Sequence, residues 1–220
     1  TAHTTSPLRS RCFAAFPRDG SNLGEILVWS LWWPALALSF FVGRVWCMLC
    51  PMALAGEAAQ RFWELKRRIP DWMKVYDVYI ALAGFIAIIW VEEATGMRHW
   101  PAATGLLLLA ILAGAVAASV LYPRRTWCRH VCPLGFFAGL CSEAALLELR
   151  PTADICSAKC TGHTCYKGSG GVEGCPLFNH VMFLDSNQHC VLCMKCVQTC
   201  QNDSVQLNLR LPATDIWARS

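Results

Sequence analysis

Charged side chains are scarce in this chain of 220 residues. Asp, Glu, Lys and Arg make up 15% of the sequence, whereas a soluble domain carries about 25%. Hydrophobic residues account for 55%, and the mean hydropathy is +0.37. This balance argues against an ordinary soluble globular domain and is typical of a membrane protein. The net charge of +4 does not indicate nucleic-acid binding, because the basic residues cluster beside apolar segments.

Several signatures of enzymes are also missing from the sequence. It contains no phosphate-cradling glycine loop, no nucleophile triad, no flavin or nicotinamide fingerprint and no His pair spaced for b-type haem. We find no classical signal peptide, because the first apolar run is too long and starts too late. The sequence therefore predicts no catalytic residue, and an electron carrier or oxidoreductase subunit is favoured over a stand-alone enzyme.

Cysteine, in contrast, is abundant, with 14 residues. Two groups of four lie in the last third: Cys190, Cys193, Cys196 and Cys200, and upstream Cys156, Cys160, Cys165 and Cys175, which Pro176 follows. The later group has the spacing of a bacterial iron–sulfur run, and the earlier one is a stretched version of it. Zinc, the main alternative, more often uses two separated Cys pairs. A disulfide framework would need an oxidising compartment, so reduced thiolates facing the cytosol are favoured.

In two-cluster ferredoxins the fourth cysteine of each run binds the other cluster. The spacing therefore predicts two 4Fe–4S clusters with crossed ligands. One would be held by Cys156, Cys160, Cys165 and Cys200, and the other by Cys190, Cys193, Cys196 and Cys175. We expect residues 152–220 to form this small two-cluster ferredoxin-like domain, with metal binding supplying much of its folding energy.

Three apolar segments, 26–43, 75–91 and 101–122, are candidates to cross a bilayer, with buried core helices as the alternative. The second is the weakest because it contains Asp77. Basic residues collect on one side of these segments, whereas the loop 92–100 offers only Arg98. By the positive-inside rule, the first side and the ferredoxin-like domain are cytoplasmic, which predicts a multi-pass protein of the cytoplasmic (inner) membrane. Residues 1–22 would be an extramembrane tail.

The first and third segments are followed by the same motif. Arg44-Val45-Trp46-Cys47-Met48-Leu49-Cys50-Pro51 corresponds to Arg125-Thr126-Trp127-Cys128-Arg129-His130-Val131-Cys132-Pro133. Each motif continues into an amphipathic stretch that ends at Pro70 or Pro151 and predicts an interfacial helix. Residues 23–151 are thus interpreted as two parallel repeats. Their symmetry would bring Cys47, Cys50, Cys128 and Cys132 together as ligands of iron or an iron–sulfur cluster; free thiols or thiol exchange are the alternatives.

The combination of paired Cys-Pro motifs after membrane segments with a C-terminal two-cluster ferredoxin resembles the membrane polyferredoxins of the NosR/NapH type, over about residues 23–209. The resemblance implies electron transfer between the quinone pool, or a cytosolic donor, and periplasmic respiratory enzymes. It also implies that the eight later cysteines are cluster ligands. Family members usually have three residues inside both paired motifs, whereas Cys47 and Cys50 enclose two.

These observations predict a mainly α membrane protein with about three transmembrane helices, two interfacial helices and a small two-cluster ferredoxin-like domain. Its expected function is that of an iron–sulfur electron-transfer subunit acting between cytoplasmic-side clusters and the quinone pool or a partner redox protein, such as a haem or flavin subunit. Two alternatives stay open: a quinol dehydrogenase in its own right, and an assembly factor that reduces or delivers copper through the paired cysteines.

Overall fold

The fold is that of a computed structural model, which describes residues 23–97 and 100–217. The predicted tail at 1–22 and Arg98 in the predicted far-side loop lie outside the described residues.

Helices dominate the described part of the chain, and strands are confined to its last third. The helices are α1 (Leu23–Phe41), α2 (Val45–Leu49), α3 (Pro51–Gln60), α4 (Asp71–Val75), α5 (Asp77–Thr95), α6 (Pro101–Leu121), α7 (Thr126–His130), α8 (Pro133–Ser142), α9 (Ala153–Lys159), α10 (Thr164–Lys167), α11 (Lys195–Thr199) and α12 (Thr214–Trp217). The strands are β1 (Leu147–Pro151), β2 (Gly168–Ser169), β3 (Val172–Glu173) and β4 (Val205–Leu209), and 3₁₀ turns lie at Val181–Phe183 and Asn187–His189.

Two helices, α5 and α6, are long and apolar enough to cross a membrane. Their 19 and 21 residues match the length that a bilayer core requires, and large apolar side chains such as Ile86 and Leu109 are exposed along them. They correspond to the second and third predicted spans. The first predicted span forms α1, which has Pro34 in its interior. Within the described residues its apolar part is Ser30–Phe41, which is shorter than a membrane-spanning helix.

Helices form at both places where the sequence predicts interfacial helices, but they are shorter than the sequence suggests. Both have ten residues, and neither reaches the proline that was expected to end it. After α3 the chain becomes extended, and the backbone N–H groups of Leu65 and Arg67 donate to carbonyls at the end of α6, at 2.9 and 3.0 Å. The last carbonyls of a helix have no partner within it, so this pairing competes successfully with continued helix. After α8 the chain instead enters β1.

The same order of elements occurs twice, as α1–α2–α3 and α6–α7–α8, and each half packs on the other. Helix α3 lies against α6, so closely that a Cβ on Gly56 would collide with the Ser119 hydroxyl. Helix α8 lies against α1, and just beyond it the N–H of Leu146 donates to the Phe41 carbonyl at 3.0 Å. The short helix of each half therefore rests on the long helix of the other half.

The C-terminal unit is a small fold built around a two-stranded antiparallel sheet. β1 pairs with β4 in a register that runs from Leu147 opposite Leu209 to Pro151 opposite Val205. This sheet includes five residues that precede the predicted domain boundary at 152. Buried Leu149 packs with Val205 and with several cysteines. The cysteines are thus part of the core of this unit.

Candidate metal centres

The Cys-Pro sequence of each paired motif places a thiol at the beginning of a helix. Cys50 and Cys132 are the N-caps of α3 and α8, and the proline that follows each is the first helical residue. Proline is well suited to that position and forces the residue before it into an extended conformation. The other cysteine of each motif, Cys47 or Cys128, lies in the short preceding helix. The extra residue of the second motif is accommodated at Val131.

The structure brings these four cysteines together; we call them the paired-motif group. Burial raises the pKa of the Cys128 thiol, and the neighbouring thiols of Cys132 and Cys47 raise it further. Burial likewise raises the pKa of Cys132 to about 11, although the backbone N–H of Gly135 donates to its sulfur at 3.4 Å. Cys50 is a further neighbour of Cys132. Each half of the molecule therefore contributes two thiols to one site.

A second set of thiols lies in the C-terminal unit; we call it the first ferredoxin group. It consists of Cys156, Cys160, Cys165 and Cys200. Burial raises the pKa of Cys165, and the other three thiols act in the same direction. The pKa of Cys200 is opposed by burial but lowered overall, because Ser204 and nearby backbone N–H groups donate to its sulfur. Cys200 thus lies with the early cysteines, as the crossed pattern requires.

The third set, the second ferredoxin group, consists of Cys175, Cys190, Cys193 and Cys196. All four line one cavity, together with Leu177 and other apolar residues. Burial raises the pKa of Cys190 to about 11 and that of Cys196 to about 12, and the neighbouring thiols add to both shifts. Cys175 is among these neighbours. It therefore lies with the late run rather than with Cys156 and Cys160.

The donor chemistry of all three groups fits iron–sulfur clusters. Every cysteine in the described residues is a free thiol, and soft thiolates select iron–sulfur clusters, zinc or copper(I). Among the described residues, no group of three or more His, Cys, Asp or Glu converges as ligands of a single metal ion would. Thiols with raised pKa values must lose their protons to a metal, so loading of these sites would release protons.

Arginines surround the thiol groups and hold the segments that carry them. Arg125 is buried; its Nε donates to Glu57 at 2.7 Å and its Nη1 to the carbonyl of Cys47 at 2.8 Å. Arg124 donates to the carbonyl of Cys175 at 3.0 Å. Arg44 is buried and donates from Nη1 to the Gln188 carbonyl at 2.7 Å. Each arginine thus joins sequence segments that lie far apart.

Sequence reasoning missed these arginines as parts of the site. In the sequence, Arg44 and Arg125 are recognisable only as the basic residues that begin the two paired motifs. The signal that could have identified them is their position, three residues before the first cysteine in both copies of the motif. Cys141, which lies outside every group, is half-buried on α8.

Comparison with known proteins now identifies the class. A family described as a 4Fe-4S binding domain matches residues 26–70 and 104–145, which are the two segments that carry the paired motifs. The geometry and this match define an iron–sulfur protein of the ferredoxin type. No solved structure matches the chain.

The chain is also similar in sequence to three curated proteins. Protein NirI of Paracoccus denitrificans is 31% identical over 211 residues, which are 80% of this chain and 27% of that protein. YccM of Escherichia coli, provisionally named an electron transport protein, is 22% identical over 82% of this chain and 55% of its own length. The methylamine utilization ferredoxin-type protein MauN of Paracoccus denitrificans is 29% identical over 53% of this chain and 46% of its own length.

The chain spans about a quarter to about half of the length of these relatives. It is similar to these ferredoxin-type proteins, which confirms the resemblance predicted from the sequence, and it is related to them as an iron–sulfur protein of the ferredoxin type.

Proposed function

We propose that this chain is a membrane-anchored electron-transfer subunit that holds three iron–sulfur centres in sequence. The two ferredoxin groups would each bind a 4Fe–4S cluster, and the paired-motif group would bind a third centre at the membrane surface. Bound clusters of this kind supply one-electron transfer. The chain itself would hold them in order, bury them and tune them through hydrogen bonds and charges.

The observation that carries this proposal is the shared packing of the three thiol groups. In one cluster of core residues, Cys175 and Cys193 of the second ferredoxin group pack with Cys47 and Cys128 of the paired-motif group. In the neighbouring core cluster, Cys190 and Cys196 pack with Cys165 and Cys200 of the first ferredoxin group. The second ferredoxin group therefore lies between the other two, which supports a continuous route rather than isolated sites.

We infer that α1, α5 and α6 cross the inner membrane, with residues 152–220 on the cytoplasmic side. Electrons would pass between the ferredoxin-like domain and the quinone pool, or a partner redox protein, by way of the paired-motif group. The family match to 26–70 and 104–145 supports a centre at that group, because those segments contain its four cysteines and none of the ferredoxin groups.

Anaerobic purification of the full chain with iron and sulfide quantitation tests the proposal. Three 4Fe–4S clusters correspond to about twelve irons per chain, and two to about eight. We expect Cys47→Ser and Cys132→Ser each to lose about four irons and one electron paramagnetic resonance signal. Cys141→Ser is the matched control, because that cysteine lies in the same helix region but in no group, and it should retain the full count.

The outcomes separate the competing functions. Copper in place of iron at the paired-motif group would favour the metal-handling assembly factor. Zinc without sulfide at the ferredoxin groups would reject electron transfer altogether. Reduction of the clusters by a quinol analogue in the purified chain would favour a quinol dehydrogenase that acts without other subunits.

A further inference from the structure

Arg44 is a buried cation with incomplete hydrogen bonding. Arg44 is 2% exposed, and its Nη1 donates to the Gln188 carbonyl at 2.7 Å. Its Nε and Nη2 have no partner among the described residues. A buried charged donor without an acceptor is more unfavourable than a neutral one, so an arrangement of this kind calls for an anionic group beside it.

The repeat supplies a direct comparison, because Arg125 occupies the same position in the second motif. All three of its terminal nitrogens have partners: Nε donates to Glu57 at 2.7 Å, Nη1 to the Cys47 carbonyl at 2.8 Å and Nη2 to the Met48 carbonyl at 3.4 Å. Its charge is offset by the carboxylate of Glu57, which it contacts as an ion pair. The hydrogen bonds and the charge of Arg125 are therefore satisfied within the protein.

The counterpart of Glu57 in the second half is Gly139, since each is the seventh residue of its ten-residue helix. Arg44 consequently has no carboxylate in the place where Arg125 has one. A Cβ on Gly139 would meet the Gln188 carbonyl at 2.8 Å and Arg44 Nη1 at 3.5 Å. The absence of a side chain is thus what lets Arg44 and the segment around Gln188 lie against α8.

Gly135, one turn earlier, brings the free end of Arg44 to the thiols. The point where its Cβ would stand is 3.0 Å from Arg44 Nη2, 3.0 Å from the Cys128 carbonyl and 3.5 Å from Cys132 Cβ. The unpartnered guanidinium end therefore lies beside the paired-motif group.

The charges around this point do not cancel Arg44. A cavity of about 120 Å³ there is lined by two cations, Arg44 and Arg129, and by one acid, Asp77. His189 also lines this cavity. Asp77 is itself 3.4 Å from His130 Nδ1. The wall formed by Cys128 and Cys132 therefore carries an excess of positive charge.

We propose that Arg44 sets the reduction potential of the centre at the paired-motif group, by holding an uncompensated positive charge and the unpartnered N–H groups of its Nη2 beside Cys128 and Cys132. The inference rests on the proposed function, since it requires a centre at that group. Reduction adds one negative charge to such a centre, and a fixed cation at short range in a poorly solvated site favours that state. Arg125 contributes less because Glu57 offsets its charge.

Redox titration of the full chain, followed by electron paramagnetic resonance, tests this role. Arg44→Met removes the charge and keeps much of the volume. We expect it to lower the midpoint potential of the paired-motif signal by at least about 59 mV, which is a tenfold change in the one-electron equilibrium constant. Arg44→Lys, which keeps the charge, should stay near the wild-type potential. The two ferredoxin signals serve as internal references and should not move.

Arg68→Met is the control for the loss of one positive charge, because Arg68 is exposed and lies outside the paired motifs. A shift of equal size in Arg68→Met and Arg44→Met would overturn the inference. So would loss of the signal in both Arg44→Met and Arg44→Lys, since that would assign Arg44 to packing. A wild-type protein without any signal assignable to Cys47 and Cys132 would reject the proposed centre and the inference together.

Discussion

At the scale of single residues, the sequence was most informative where chemistry constrains spacing. Cysteines that wrap one cluster must follow each other at short intervals, so the runs around Cys160 and Cys193 can be read without a structure. The crossed membership of Cys175 and Cys200 follows from the same rule and stays a prediction. In the fold Cys200 lies near Cys165, and Cys175 lies near Cys193.

The crossed pattern gives a prediction about ligands. Cys165→Ser and Cys200→Ser should abolish the same electron paramagnetic resonance signal and each lose about four irons, because each removes one corner ligand of one 4Fe–4S cluster. Cys175→Ser should abolish the other ferredoxin signal, together with Cys190→Ser. Iron quantitation and spectra of the purified variants measure both effects.

The double variant Cys165→Ser with Cys200→Ser is the internal check, and it should lose no more iron than either single variant. If Cys200→Ser instead removed the signal that Cys190→Ser removes, each run would keep its own fourth ligand and the crossed assignment would be wrong.

Charged partners could not be predicted in the same way. Arg44 contacts Gln188, 144 positions further along the chain, and Arg125 contacts Glu57, 68 positions earlier. Nothing local in the sequence links these residues, because their pairing depends on how the two halves and the C-terminal unit pack. Spacing rules describe ligands within one segment, whereas ion pairs between segments require the tertiary fold.

At the scale of elements, the existence of helices was easier to predict than their ends. Apolar residues continue at helical spacing past Gln60, through Phe62 and Leu65, so periodicity alone extends the first short helix to Pro70. In the structure the free carbonyls at the end of α6 pair with this segment instead. The competing backbone acceptors lie more than fifty residues away in the chain, which is why a local pattern overestimates the helix.

Helix α8 offers a test of how the C-terminal unit docks on the membrane half. Gly139→Ala introduces a Cβ that would meet the Gln188 carbonyl at 2.8 Å, and overpacking of this kind costs about 1–3 kcal/mol. We expect a lower midpoint of thermal unfolding, measured by tryptophan fluorescence, and a broadened signal from the second ferredoxin group.

Gly105→Ala on α6 is the matched substitution, because a Cβ there meets nothing within 4 Å. Alanine stabilises a helix by about 0.5–1 kcal/mol relative to glycine, so this variant should unfold at the same or a higher temperature. Equal behaviour of the two variants would mean that the Gln188 segment does not rest on α8.

At the scale of the whole molecule, composition already indicated a membrane protein, and the structure supplies two helices suited to spanning. Arg44 and Arg125 are buried in the protein, so they do not add to the exposed positive charge that orients a chain in a membrane. Exposed residues such as Arg61, Arg67 and Arg68 still provide positive charge on the predicted cytoplasmic side. The positive-inside rule therefore predicts the same orientation, although fewer residues contribute to it.

Topology can be measured with two epitope tags on the full chain. A tag inserted after Gly96, between α5 and α6, should resist protease added to inverted inner-membrane vesicles, because the proposed orientation puts it inside them. A tag after Ser220 should be cleaved in the same vesicles. Cleavage of both tags, or protection of the C-terminal tag alone, would contradict the proposed orientation.

The exchange of packing partners between the halves has a consequence for how such a chain could arise. Because α3 rests on α6 and α8 on α1, neither half covers its own short helix or completes the paired-motif group. A half-length polypeptide would have to meet a second copy of itself to bury those surfaces. Fusion of two such copies into one chain would free each to diverge, and glycine opposite glutamate at the seventh helical position is the kind of inequality that a symmetric homodimer could never acquire.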